Sequence, residues 1–328
     1  MMSKIVCLGS GGWGIALALN AFQNGHDVTL WSPFENEVKM LSEKRTNPKL
    51  LNGVFIPEEI HITSDLSCVK DALITIIAVP STAVGSVAEQ LKDYKDRGII
   101  VNVAKGLEKG TLRRLSQVIS SEIPQADIVI LSGPSHAEEV ARKMPTSIVA
   151  ASECFAAAEV VQDLLSNQYF RVYTSDDVIG VELGGALKNV IAICSGMCTG
   201  LGLGDNTRAA LITRGLAEMA RLGVALGAKA STFSGLTGIG DLVVTCTSMH
   251  SRNNRFGILV GKGIPVEEAL NEVGTVEGYY AALMAHELAK KLKIEMPIVD
   301  ECYAVLYEGA DINTVVENLM TRPKRSEI

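Results

Sequence analysis

The chain has 328 residues, 47% of them hydrophobic and 20% charged, with a formal net charge of −7; this is the balance of a folded globular protein with room for two domains. The acidic excess argues against general binding to nucleic acid or an anionic membrane, so each basic residue has to be read singly. Seven cysteines without a CxxC pair point to a reducing, cytoplasmic compartment, and five histidines without an HxH or HxxxH spacing leave no expected metal site. The chain runs at once into a core strand, with no apolar leader and no uninterrupted apolar run of membrane-spanning length, so neither secretion nor a membrane span is expected.

The apolar run 5–8 is followed by Gly9-Ser10-Gly11-Gly12-Trp13-Gly14, and a helical pattern opens at Ile15. Gly9 permits a tight strand-to-helix turn, Gly11 lets backbone approach a pyrophosphate, and Gly14 lets helix and strand pack closely. The helix start then offers free N–H groups to the anion. A lone GxGxxG is weak, but here a second strand at 27–31 follows after one helix, which is the order a dinucleotide fold requires. Glu35 lies near the spacing at which an acid meets the ribose hydroxyls, and no basic residue occurs before Lys39, so the reading favours NAD over NADP.

Residues 42–60 read as a turn-rich excursion before a short strand at 61–63. Apolar runs at 74–79, 99–103 and 128–131 suit parallel strands covered on both faces. The turns after them should border one crevice, which makes Lys105 a candidate for holding an anion and places Gly133, Ser135 and Ala137 at a helix start beside it. A β-like pair, 147–151 and 170–173, brackets a helical stretch at 154–165. Beyond residue 177 strand signals vanish, and helical patterns cover 181–198, 208–226, 266–273, 275–292 and 297–306. The expected architecture is therefore a Rossmann-like doubly wound α/β domain over 1–180 and an all-helical domain over 181–328, with the site between them.

Lys188 and Asn189 stand in an otherwise small and apolar helix. A lysine there snorkels, pairs with an acid, or loses its proton readily because desolvation disfavours the ammonium; the last two describe a tuned acid/base, which dehydrogenation of an alcohol needs. Asp241, in a stretch too glycine-rich for a plain helix, is its candidate partner, with a helix cap as the alternative. Ser251-Arg252-Asn253-Asn254-Arg255 looks like a phosphate grip, since a guanidinium fork matches phosphate geometry; an exposed polar turn is the alternative.

These stretches, with Ala104-Lys105-Gly106 and Val276-Glu277-Gly278, resemble the NAD(P)-dependent sn-glycerol-3-phosphate dehydrogenases of the soluble bacterial type along nearly the whole chain. The resemblance implies reduction of dihydroxyacetone phosphate to sn-glycerol 3-phosphate with NAD(P)H, supplying phospholipid synthesis. It makes Lys188 the proton donor and acceptor beside Asp241, and sets Lys105, Gly133, Ser135, Asp241, Ser251, Arg252 and Asn253 around the substrate. Gly12, Trp13, Lys105, Ala137, Arg252, Val276 and Glu277 would line the cofactor with Gly9, Gly11 and Gly14. The chain departs from many relatives at Pro33, where they carry a basic residue, and at Gly12, where serine is usual. A homodimer is one assembly open to it. Two alternatives stay open: a 3-hydroxyacid dehydrogenase of the 6-phosphogluconate dehydrogenase type, which would grip a carboxylate, and a dinucleotide-sensing module without chemistry, which would not need Lys188 beside Asp241.

Overall fold

A computed structural model describes residues 2–94, 97–324 and 326–327. Among them, strands β1 (Lys4–Leu8), β2 (Asp27–Trp31), β3 (His61–Thr63), β4 (Ile74–Ile77), β5 (Arg97–Asn102), β6 (Gln125–Ser132), β7 (Thr146–Ala151) and β8 (Phe170–Ser175) form one sheet in the order β3-β2-β1-β4-β5-β6-β7-β8. Helices α1 (Gly12–Gln23), α2 (Glu35–Lys44), α3 (Val84–Leu91), α4 (Leu115–Glu122), α5 (Ala137–Ala141) and α6 (Phe155–Leu165) lie between the strands. Alternate residues of β1 serve opposite faces: Ile5 and Cys7 join one core with α1 and α6, whereas Val6 and Leu8 join another with α3 and α4. Both faces are covered, which is why these strands read as continuous apolar runs.

Strands β1 to β6 are parallel, but β7 pairs antiparallel with β6 and parallel with β8. The runs read as parallel strands are parallel; the direction of β7, left open by the sequence, has a physical reason. The one helix in the β6–β7 connection, α5, has 5 residues, about 7.5 Å at ~1.5 Å per residue, too short to carry the chain back to the other end of the sheet as a parallel crossover must. Helix α1 also starts earlier than expected, at Gly12, because Ile15 N–H already bonds to Gly11 carbonyl at 3.0 Å.

Helix α7 (Val178–Gly200) follows β8 after two residues and is the axis of the remaining chain. Around and beyond it come α8 (Asp205–Ala225), α9 (Ala230–Phe233), α10 (Asp241–Thr247), α11 (Arg252–Gly261), α12 (Val266–Val273), α13 (Glu277–Leu292), α14 (Pro297–Tyr303) and α15 (Ile312–Met320). By length and composition α7 passes for a membrane span, yet 94% of its most apolar window is buried in the fold. It is a core helix, capped at its start by Asp177, whose carboxylate accepts from Gly180 N–H at 2.9 Å.

Two glycine pairs bring α7 and α11 close. A Cβ on Gly196 would collide with Asn254 carbonyl, and one on Gly257 with Ile193 carbonyl; Gly200 and Gly261 repeat the contact a turn further on. The small residues that made α7 look anomalous are thus what lets the first turn of α11 sit against the middle of α7. That seam fixes the distance between Asn189 and Asn253, described below.

Candidate active site

The glycine loop leaves β1 and enters α1. Gly9 has φ +118°, and a Cβ on it would stand 2.5 Å from Ala78 carbonyl, so only glycine makes this turn. Gly14 packs on the Gly9 carbonyl, which closes helix against strand. Gly11 has ordinary dihedrals and no neighbour within 4 Å of a built Cβ, so the loop is open on that side while α1 presents N–H groups without a side-chain cap. The loop therefore fits a dinucleotide pyrophosphate: it is open where the anion approaches and closed where helix meets sheet. Trp13 packs against the apolar face, and Ala137 at the start of α5 lies 3.6 Å from a Cβ built on Gly12, so the two helix starts share one wall.

The acid at the end of β2 is not the expected one. Glu35 is exposed, whereas Glu37, two residues on, accepts from Ser10 Oγ at 2.6 Å and Ser32 Oγ at 2.5 Å. The first turn of α2 folds back so that its carboxylate reaches the loop and the strand end together. A spacing rule written for a residue on the strand itself passes over an acid delivered by the next helix.

Three charged side chains from three elements meet at the other end of the crevice. Asp241 accepts from Lys188 Nζ on one oxygen and from Lys105 Nζ at 2.7 Å on the other. Lys105 follows β5 and also donates to Gly133 carbonyl at 3.1 Å. Gly185 on α7 borders the lysine stem, and a Cβ there would stand 2.8 Å from Ser132 Oγ at the end of β6. A wide π turn, Leu236–Gly240, carries the chain into α10 and puts Asp241 on its first residue, 1% exposed, while Gly240 takes the cap position, so the alternative of a helix cap falls away. Lys188 donates further to Thr245 Oγ1 at 2.7 Å, and that hydroxyl returns to Asp241 carbonyl at 2.6 Å. Thr245 went unnoticed in the sequence, although its place one helical turn after Asp241 was a usable signal.

Burial pushes the Lys188 ammonium down to about 7, and Lys105 adds repulsion, against the attraction of Asp241. Asp241 is held below the ordinary carboxylate range: burial alone would raise it, but Lys105 and Lys188 outweigh that. The result is a lysine whose proton is exchangeable near neutrality on a carboxylate that stays charged, an arrangement suited to proton transfer.

Ser251 caps α11, accepting from Asn254 N–H at 3.2 Å, and is 4% exposed; the alternative of an exposed polar turn is set aside for it. Arg252 does lie at the surface, in the first turn of α11, with no acidic partner among the described residues. A cation there opposes the helix dipole, so an arriving anion relieves rather than adds repulsion. Asn253 donates to Asn189 Oδ1 at 2.9 Å and accepts from Gly278 N–H at 2.9 Å, which ties α7, α11 and α13 together. Val276 is 1% exposed within the helical core, and Glu277 is already engaged by Ser81, through N–H at 3.1 Å and Oγ at 2.5 Å. Of the expected cofactor residues, Glu277 thus joins the helical part to the loop after β4. Ser135 Oγ donates to Gly133 carbonyl at 3.0 Å, on the same oxygen that Lys105 holds.

Two family models, the NAD-dependent glycerol-3-phosphate dehydrogenase N-terminus and C-terminus, match residues 4–158 and 177–317. The chain belongs to this family. It is 49% identical to the glycerol-3-phosphate dehydrogenase [NAD(P)+] of Desulfitobacterium hafniense, covering 100% of this chain and 94% of that one. The enzyme of the same name from a Thermoanaerobacter species is 52% identical, with 99% of each chain covered. A crystal structure of the Coxiella burnetii glycerol-3-phosphate dehydrogenase superposes with a TM-score of 0.94 at 40% identity, over 98% of this chain and 99% of that one. The protein is an NAD(P)-dependent oxidoreductase of this family.

Proposed function

We propose that the chain reduces dihydroxyacetone phosphate to sn-glycerol 3-phosphate, reversibly, at the cleft between the sheet and the α7 bundle. The buried pairing of Lys188 with Asp241 carries the reading. Bound NAD(P)H supplies the hydride. Lys188 gives its proton to the oxygen that becomes the alcohol, and in the oxidative direction takes it back. Asp241 and Thr245 hold the amine in place, and Lys105 keeps Asp241 ionised after the proton has left. The substrate phosphate is taken by Arg252 at the start of α11, whose guanidinium fork matches phosphate geometry. Gly133, Ser135, Ser251 and Asn253 shape this end of the site, and Gly11, Gly12, Trp13 and Ala137 line the dinucleotide.

We assign the cofactor as NAD in preference to NADP. A 2′-phosphate would lie against the Glu37 carboxylate, whereas ribose hydroxyls can donate to it. We place the division between cofactor-binding and helical domains near residue 180, beside the start of α7. The free state of all seven cysteines supports action in a reducing cytoplasm, where the product would feed phospholipid synthesis.

The test is oxidation of NADH or NADPH by the purified protein with dihydroxyacetone phosphate, beside hydroxypyruvate and tartronate semialdehyde. Turnover with the phosphorylated ketone alone is expected. Turnover with the acids alone would establish a hydroxyacid dehydrogenase, and cofactor binding without any turnover would establish a sensing module.

A further inference from the structure

Three buried side-chain polar atoms among the described residues have no hydrogen-bond partner within the protein: Thr75 Oγ1, Ser132 Oγ and His136 Nε2. Thr75 lies inside β4, and Ser132 ends β6 against Gly185 of α7. Both are hydroxyls in packed secondary structure. His136 is different in kind and place. It stands between Ser135 and Ala137, at the start of α5, and its ring meets that of His250, the residue before Ser251, at 5.7 Å between centroids. The two rings thus come from opposite sides of the cleft.

A buried ring nitrogen left unpaired is costly, and native proteins tolerate such atoms chiefly where a ligand or water completes them. Burial first, then the charge of Lys188, hold His136 below the ordinary histidine range, with a smaller contribution from Lys105; Glu138 and Glu139 oppose this weakly. Both lysines therefore bear on the ring, and the imidazole is neutral at physiological pH. A neutral imidazole both donates and accepts, which suits a hydroxyl better than a dianion.

The substrate assigned above has three polar points. Its phosphate calls for cationic donors and has Arg252; its carbonyl oxygen needs a proton and has Lys188. Its free primary hydroxyl has no partner yet among the groups described. We propose that His136 is a specificity-determining residue whose Nε2 hydrogen-bonds the free hydroxyl of the substrate, so that the site selects a hydroxymethyl ketone phosphate over a methyl ketone phosphate. This rests on the reaction proposed above. A site built to bond a hydroxyl rejects the analogue that lacks it, because the buried partner is then left unpaired.

The experiment compares dihydroxyacetone phosphate with hydroxyacetone phosphate, which carries a methyl group in place of the hydroxymethyl. Wild-type turnover of the first is read before anything else, and its absence would overturn the reaction itself and this role with it. Given that turnover, His136→Phe should lower kcat/KM for dihydroxyacetone phosphate by about 10- to 100-fold and affect hydroxyacetone phosphate far less. His136→Gln, whose amide nitrogen reaches the place of Nε2, should restore most of the preference. The dissociation constant for NADH and the melting temperature should stay near wild type in both variants. An equal fall for both ketones, or a preference that His136→Phe leaves intact, would overturn the proposal. So would a loss of NADH affinity that accounts for the whole effect, since His136 would then serve the cofactor.

Discussion

Asp241 takes Lys188 on one carboxylate oxygen and Lys105 on the other, so one buried acid joins the α7 bundle to the carboxyl end of β5. The two contacts have different consequences. Lys105 keeps the acid ionised, and the ionised acid keeps Lys188 from falling further in pKa. Asp241→Asn should therefore move the Lys188 titration below about 7 as well as reduce kcat, because attraction to the carboxylate is what opposes burial. The pH profile of dihydroxyacetone phosphate reduction checks this: its alkaline limb should shift to lower pH, and a limb that stays put or moves up would show that Asp241 does not set the lysine.

Arg252 is the cation placed to receive phosphate. Arg252 lies at the surface, and a hydrogen bond to a charged group contributes about 1.5 to 3 kcal/mol, so Arg252→Gln should lower kcat/KM for dihydroxyacetone phosphate by roughly 10- to 150-fold. Unphosphorylated dihydroxyacetone is the control at saturating NADH. It should lose far less, and an equal loss for both ketones would move Arg252 from the substrate to the cofactor or the fold.

Cofactor choice turns on Glu37. Glu37→Gln removes the charge that a 2′-phosphate would face while keeping an acceptor for Ser10 and Ser32. Affinity for NADPH should rise by roughly tenfold, equivalent to about 1.4 kcal/mol, with little change for NADH. Titration calorimetry with the two reduced cofactors measures this without turnover. A wild type that already binds NADPH more tightly than NADH would contradict the assignment.

A second buried acid affects stability rather than chemistry. Glu218, 3% exposed, accepts from Ile298 N–H at 2.9 Å at the start of α14, and burial raises it to about 7 despite those bonds. Between the ordinary carboxylate value and about 7 the folded state then binds more protons than the unfolded one, so unfolding free energy falls as pH rises through that window. Chemical denaturation across pH 5 to 8 should show this slope, and Glu218→Gln should flatten it. An unchanged slope in the variant would assign the dependence to other groups.

Much of this was legible in the sequence because it obeyed local rules. Strand β2 occupies the residues its pattern indicated, and the lone lysine of α7 did announce a partner. The reversal of β7 was not legible, since an apolar run does not carry direction; only the shortness of α5 does. Glu37 was missed because a helix, not the strand, delivers it, and Ser81 with Glu277 because residues so far apart in the chain meet only after folding. Arg252 was read for its fork, but nothing in the sequence said that Ser251 and Asn253, on either side of it, would be committed to capping α11 and to tying α7 to α13.

The central claim is that Lys188 supplies the proton. Reduction needs the lysine protonated, so activity should be full below about 7 and be lost as pH rises through that value. The most direct measurement is kcat/KM for dihydroxyacetone phosphate at saturating NADH across pH 5.5 to 9, for wild type and Lys188→Met. The account predicts a wild-type limb that falls about tenfold per pH unit on the alkaline side, and a variant slower by on the order of 10²- to 10⁴-fold with that limb gone and NADH affinity retained. A variant that turns over near the wild-type rate, or that keeps the same limb, would contradict it.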